Sequence, residues 1–265
     1  MKIKFIIRFI SLLILFYSCH NNNKATKNDL QKEGLRGSVK SVKETTYQAE
    51  VKDGEIQKGK IFIQLIKTFN EKGNILEENG CWPDRNDNLK NTCIYDHNEE
   101  LLGVICYIDI DKINGTDYKI YFATIYKNDN IGNKIEEKNY NQGTKLNSIS
   151  TFKYDEKGNC IEDSAYSPNG SLNSYSIYQY DDKGNKIKEN DYKSDGTLKS
   201  KSGFKYDNYG NNIEYVSYKL DGIIDHKTVY SYEFDAKGSW IKKFTYDGNN
   251  NTLFDIVERK IIYYK

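Results

Sequence analysis

Side chains able to do chemistry are few in this 265-residue chain, and they are scattered. There are three histidines, His20, His97 and His226. Asp96-His97-Asn98-Glu99-Glu100 gathers oxygen and nitrogen ligands, yet the run reads first as a turn between strands. No serine or cysteine stands in a G-x-S-x-G context, and no H-E-x-x-H occurs. The acid pairs Glu136-Glu137 and Asp181-Asp182 are adjacent, so on a strand they point to opposite faces and cannot share a proton. The segment from Asp109 to Asp117 fails as a calcium loop: Ile113 stands at position 5, glycine falls one place late, and Ile120 replaces the closing glutamate. Asn114-Gly115 as a hairpin turn accounts for it better. The expectation is no catalytic residue, no metal site and no cofactor.

Aromatic residues are the other candidates. The chain has 23 tyrosines against 2 prolines and 1 methionine. Tyr140, Tyr166, Tyr192 and Tyr218 recur at one place in successive units, near Asn and Asp, and stacked rings beside hydrogen-bonding groups suit sugars. Trp82 opens Trp82-Pro83-Asp84-Arg85-Asn86-Asp87-Asn88, a loop that departs from the surrounding regularity, as binding loops often do. Trp82, Tyr140, Tyr166, Tyr192 and Tyr218 are thus the candidate binding residues, with simple packing of Trp82 as the competing role.

These side chains must be positioned by a repeat. Tyr154-Asp155-Glu156-Lys157-Gly158-Asn159 returns at Tyr180, at Tyr206 and, as Phe-Asp-Ala-Lys-Gly-Ser, at Phe234, with spacings of 26, 26 and 28 residues. Looser copies start at Phe69, Tyr95 and Tyr126. Halfway through each unit comes Asn169-Gly170, Asp195-Gly196 or Asp221-Gly222, a strong hairpin signal. The expected fold is all-β, a continuous antiparallel meander of tandem hairpins in a curved or spiralling sheet. Residues 69–265 form about seven units, and residues 34–68 form an N-terminal capping hairpin. Alternation places Leu172, Ser174, Ser176, Tyr178 and Tyr180 on one face, and likewise Leu198, Ser200, Ser202, Phe204 and Tyr206, with Lys199, Lys201 and Lys205 opposite. Ile187 and Tyr192, five apart, fall on opposite faces unless a bulge intervenes, and the offset recurs at Ile135, Ile161, Ile213 and Ile241. A bulge and a two-faced aromatic strand both fit. Hairpins symmetric about their turns place Cys81 and Cys106 opposite Lys90 from either side, too far apart to bridge, so free packed thiols are expected.

The Tyr-Asp-x-x-Gly-Asn units resemble the YD repeats of the Rhs family over roughly residues 69–265. That resemblance implies a spiralling β-sheet architecture and surface or carbohydrate contact, and it assigns no catalytic residue. The units are too few to close a shell around a cargo. The layout also looks like small repeat lipoproteins of Bacteroidetes-type bacteria.

The N-terminus reads as an address. Lys2, Lys4 and Arg8 precede a short apolar run from Phe9 to Tyr17, as in a signal peptide over residues 1–18. Leu15-Phe16-Tyr17-Ser18-Cys19 resembles a bacterial lipobox, which implies acylation of Cys19 and a membrane anchor. Residues 19–33 follow as the lipidated cysteine and a flexible tether. Losing the leader takes the formal charge from +1 to −2, and this balance gives no footprint for nucleic acid. The expected protein is a lipoprotein of the cell envelope, at the periplasmic or outer face of the outer membrane. It acts as a non-catalytic binding module for a glycan, or else as an assembly protein meeting an envelope partner through sheet edges or faces.

Overall fold

Each Tyr-Asp-x-x-Gly-Asn unit folds as a turn held by its own side chains. One carboxylate oxygen of Asp181 accepts the backbone N–H groups of Lys183 (2.9 Å) and Asn185 (2.8 Å), and the other accepts Nδ2 of Asn185 at 2.9 Å. Gly184 takes φ of +73°, where a side chain is disfavoured. The same bonds form at Asp129, Asp155 and Asp207; Asp235 keeps the two backbone bonds, from Lys237 and Ser239, while its other oxygen accepts the Tyr263 hydroxyl. The motif is therefore a folding signal.

The computed structural model describes residues 28–53, 55–83, 87–96, 101–109, 118–142 and 144–265. Cys19, the signal peptide, the first part of the tether, His20, His97 and residues 110–117 of the calcium-like segment lie outside the described residues. The turns separate β1 (Val39–Lys52), β2 (Glu55–Phe69), β3 (Ile75–Trp82), β4 (Asp87–Tyr95), β5 (Leu101–Asp109), β6 (Tyr118–Asn128), β7 (Lys134–Asn141) and β8 (Lys145–Tyr154). They continue with β9 (Cys160–Tyr166), β10 (Leu172–Tyr180), β11 (Lys186–Lys193), β12 (Leu198–Tyr206), β13 (Asn212–Tyr218), β14 (Ile224–Phe234), β15 (Trp240–Asp247) and β16 (Leu253–Tyr263). Each strand pairs antiparallel with its sequence neighbours, as the meander predicts. β1 also pairs with β16, from Val39↔Tyr263 to Gln48↔Asp255, and the sheet closes into a barrel. The N-terminal hairpin is the closing seam rather than an end cap. Closure leaves no free strand edge among the described strands, which removes the edge-pairing mode of assembly.

Bulges settle the five-residue offset. Gln179 faces Lys188 and Tyr180 faces Lys186, so Ile187 is an extra residue in β11. Ile135, Ile161, Ile213 and Ile241 are skipped in the same way. A second bulge lies at the other end of the hairpins: Ala165 faces Ser174 and Tyr166 faces Leu172, skipping Asn173. Lys199 is skipped likewise between Leu198 and Ser200. Each bulge reverses the inside–outside parity. Leu172 and Leu198 therefore leave the face of Ser174, Ser176 and Tyr178 assigned to them by strict alternation, and sit beside Tyr166 and Tyr192 on the outer wall.

That outer wall is charged. Lys205 and Lys227 flank Glu214 at 2.7 and 2.8 Å, Lys153 meets Glu162 at 2.8 Å, and Lys138 meets Glu136 at 3.0 Å. A Lys or Arg facing lipid at mid-bilayer costs about 2–4 kcal/mol, so these charges oppose burial of this wall in lipid. No helix among the described residues is long and apolar enough to cross a membrane.

The N-terminal segment closes one end of the barrel. Residues 28–33, assigned to the tether from their polarity, instead carry a short helix, α1 (Asp29–Lys32). Asn28 and Gln31 form a reciprocal capping box at its start. Leu30 and Leu35 bury against Val39, Val42, Phe69 and Ile75. Full burial of such a side chain contributes about 1.5–3 kcal/mol, enough to hold a one-turn helix. The backbone N–H of Leu30 donates to Gly73 and that of Arg36 to Ser239 Oγ, so the segment crosses the Tyr-Asp turns at that end. Gly34, at φ +68°, lies flat on Trp240, and a Cβ there would come within 2.8 Å of the indole.

All four described cysteines are free thiols, as expected. The register differs from the symmetric one: Lys90 faces Asn79 and Tyr107, while Cys81 faces Asn88 and Cys106 faces Asn91. Cys93, Cys106 and Cys160 are buried. Burial pushes the Cys106 thiol up to about 12.

Candidate functional site

The repeat positions its residues in two ways. The motif tyrosine points inward and donates its hydroxyl to a carbonyl twenty residues back: Tyr154 to Lys134, Tyr180 to Cys160 and Tyr206 to Lys186, at 2.7–2.9 Å; where the motif position is Phe234, Tyr232 two residues earlier donates to Asn212 at 2.6 Å. The receiving residue is the first of the preceding strand, the hairpin partner of the tyrosine's own. That first position also faces the lumen and changes type from strand to strand: Ile75, Leu101, Lys134, Cys160, Lys186, Asn212, Trp240. The constant tyrosine fixes the frame, and the variable position writes the lining.

Around β1, β2, β3 and β12–β16 the lining encloses a cavity of about 480 Å³. It runs from Glu33 and Gly34 past Trp82, Tyr206, Asn212, Tyr232, Trp240 and Lys243 to Phe62, which is 46% exposed. Both tryptophans of the chain line it.

Most charges in this cavity are matched. Arg259 donates to Glu44 through Nε at 2.8 Å and Nη2 at 2.6 Å, contacts Glu33 at 3.2 Å, and lies 3.2 Å from the Trp240 ring centre. Lys67 bridges Glu33 at 2.6 Å and Glu78 at 3.4 Å. Burial pushes the Glu44 carboxyl up, but Arg259 and Lys67 outweigh it and hold it at about 2. Burial likewise opposes the charge on Lys67, and the surrounding glutamates overcome it and raise its pKa. At Glu78 burial prevails over Lys67, and the carboxyl is raised.

Two groups stay unmatched. Lys243 is held below the usual lysine range by burial, against the pull of Glu44 and Asp255. Among the described residues it makes no hydrogen bond or ion pair; its Nζ lies 5.7 Å from the Tyr230 ring centre and 5.9 Å from that of Trp240. Oδ1 of Asn212 is buried without a hydrogen-bond partner. Tyr232 joins them: it faces Lys243 across β14 and β15, and its hydroxyl reaches the Asn212 carbonyl at 2.6 Å. An unpaired buried acceptor costs about 1–3 kcal/mol, which a ligand donating to Asn212 would recover.

The candidate residues from the sequence divide between the two sides of the barrel. Trp82 lines the cavity. Tyr140, Tyr166, Tyr192 and Tyr218 sit on the outer wall, each beside an aliphatic residue: Leu146, Leu172, Leu198 and Ile224. Tyr192 stacks on Tyr175 with ring centres 4.8 Å apart, and Lys201 lies 5.2 Å from the Tyr218 ring centre. The structure does not bring Trp82 to these tyrosines. Asn212, Trp240, Lys243 and Arg259 escaped sequence reasoning. Asn212 and Trp240 carry one signal, that the residue after each Gly-Asn or Gly-Ser turn varies while its surroundings repeat; Lys243 and Arg259 carry none. No group of three or more potential metal ligands occurs among the described residues.

No family model matches the chain, and no curated protein does. Solved structures are similar to it to different degrees. A porin-like protein from Bacteroides uniformis superposes with a TM-score of 0.55 at 9% identity, over 86% of this chain and 99% of its own. A porin-like protein from Bacteroides vulgatus gives 0.40 at 11% identity, over 85% and 98%. A Photorhabdus luminescens Tc holotoxin pore structure gives 0.31 at 11% identity, and this chain spans 12% of that one. The first of these supports the barrel architecture alone.

Proposed function

We propose that this protein is a non-catalytic binding module of the cell envelope, tethered through Cys19, which takes its ligand into the barrel lumen. The observation that carries this reading is the 480 Å³ cavity lined by both tryptophans, with Lys243 and Asn212 Oδ1 left unmatched in its wall. Aromatic faces with a few convergent polar groups suit a saccharide-sized ligand. A signal-peptide-like leader and a barrel shared with a porin-like protein support an envelope setting, while the charged wall favours a water-facing barrel over a spanning pore.

A second reading has its own observation. The outer row of Tyr–Leu and Tyr–Ile pairs forms an amphipathic surface for an envelope protein partner.

A thermal-shift screen of the full chain against envelope saccharides, repeated in Trp82→Ala and Tyr192→Ala variants, tests both. The lumen reading expects a saturable shift that Trp82→Ala abolishes and Tyr192→Ala leaves intact. The opposite pattern moves the site to the outer wall, and a flat screen with in-cell crosslinks at Tyr192 favours the protein partner.

A further inference from the structure

The lumen reading above can be carried to a ligand class, and this step rests on it. The cavity's three carboxylates are already engaged: Glu33 by Lys67 and Arg259, Glu44 by Arg259, Glu78 by Lys67. Its remaining cations differ in their partners. Lys32 has Asp29 at 3.5 Å, whereas Lys243 has no direct ion pair: aromatic rings lie nearest, and Glu44, Glu33 and Asp255 attract it while Arg259 repels it. A ligand entering here therefore meets one ammonium group without a direct hydrogen-bonded or ion-paired partner. It also meets one uncompensated oxygen acceptor, Asn212 Oδ1.

From these we infer that the lumen takes a carboxylate-bearing saccharide of one or two rings, with its carboxylate on Lys243 and a ring hydroxyl donating to Asn212. The spacing fits. Lys243 on β15 and Asn212 on β13 are separated by one strand, so their backbones stand about 9–10 Å apart, and a ring bearing a carboxylate spans such a gap between side chains. The strand between them contributes Tyr232, whose ring lies 5.8 Å from Trp240 and supplies apolar surface for a sugar face. A neutral sugar leaves the lysine unpaired, and a simple fatty or aromatic acid leaves the asparagine oxygen unpaired. A ligand with both an anion and a hydroxyl donor completes the wall. Because Lys243 is held below the usual lysine range, pairing with an anion raises its pKa, and binding weakens as pH rises past that depressed value.

Intrinsic tryptophan fluorescence is a local probe, because Trp82 and Trp240 both line the cavity. The full-length protein is titrated with digalacturonate and with its dimethyl ester, which keeps the shape and removes the charge. The inference expects a saturable change with the acid and at least tenfold weaker binding of the ester. It also expects at least tenfold loss of acid binding in Lys243→Gln, with recovery in Lys243→Arg, in variants whose melting stays cooperative. Equal binding of acid and ester overturns the inference and leaves the lumen reading standing. A flat response to both, from a cooperatively melting sample, overturns the two together.

Discussion

The hydroxyl of Tyr180 donates to the carbonyl oxygen of Cys160 at 2.7 Å, across one hairpin and twenty residues of chain. Pairing of β9 with β10 runs only from Leu172↔Tyr166 to Ile177↔Glu162, so Cys160 lies beyond its last rung. The phenol takes the place of the missing rung beside the Ile161 bulge. This is why the repeat needs tyrosine there.

Tyr180→Phe removes the donor and leaves a buried carbonyl, at a cost of about 1–2 kcal/mol in urea-unfolding free energy. Tyr192→Phe on the outer wall, where Asn190 approaches the hydroxyl at only 3.4 Å, changes it by less than about 0.5 kcal/mol. Equal effects of the two substitutions would contradict the bracing role.

The ion cluster predicts a pH signature. Glu44 titrates at about 2 in the folded barrel against 4.5 as its ordinary value, so its stabilisation is complete above 4.5 and is lost as pH falls toward 2. Glu78 is raised, so protonation favours the folded state and its contribution runs the other way. Below pH 4.5 the urea midpoint should fall less steeply in Glu44→Gln than in the parent protein, and above pH 4.5 the parent should gain, as pH falls, a stabilisation that Glu78→Gln lacks. Identical slopes in all three would remove these carboxylates from the account.

Thiol accessibility checks the register. Cys81 is partly exposed, while Cys93, Cys106 and Cys160 are buried and Cys106 is pushed up to about 12. Iodoacetamide at pH 8 should therefore modify Cys81 rapidly and the other three only after denaturant is added, as read by peptide mass spectrometry. Fast native labelling of Cys106 would mean that β4 and β5 are paired differently.

Legibility in the sequence followed the range of the interactions. The Tyr-Asp turns are made within five residues, as at Asp181–Asn185, and so both turns and meander could be read directly. Closure depends on Val39 meeting Tyr263, and nothing local to either strand announces it. The bulges at Asn173 and Lys199 defeated strict alternation, because one extra residue moves Leu172 and Leu198 to the other face. The polarity of residues 28–33 masked a helix whose signs were present in the Asn28–Gln31 capping box and Leu30. Trp82 drew attention by breaking the repeat, whereas Trp240 stood inside a repeat unit and was passed over. The cavity joins β3 to β13–β16 across the barrel, a proximity that only closure creates.

The central claim is that ligand enters the lumen, and the two tryptophans allow a direct measurement. Single-tryptophan variants, Trp82→Phe and Trp240→Phe, are titrated with digalacturonate while emission maximum and acrylamide quenching are followed. A lumen ligand shields both remaining indoles, with the same saturation curve from each. Unchanged quenching of both tryptophans at concentrations that saturate a thermal shift would place the ligand outside the barrel and contradict the account.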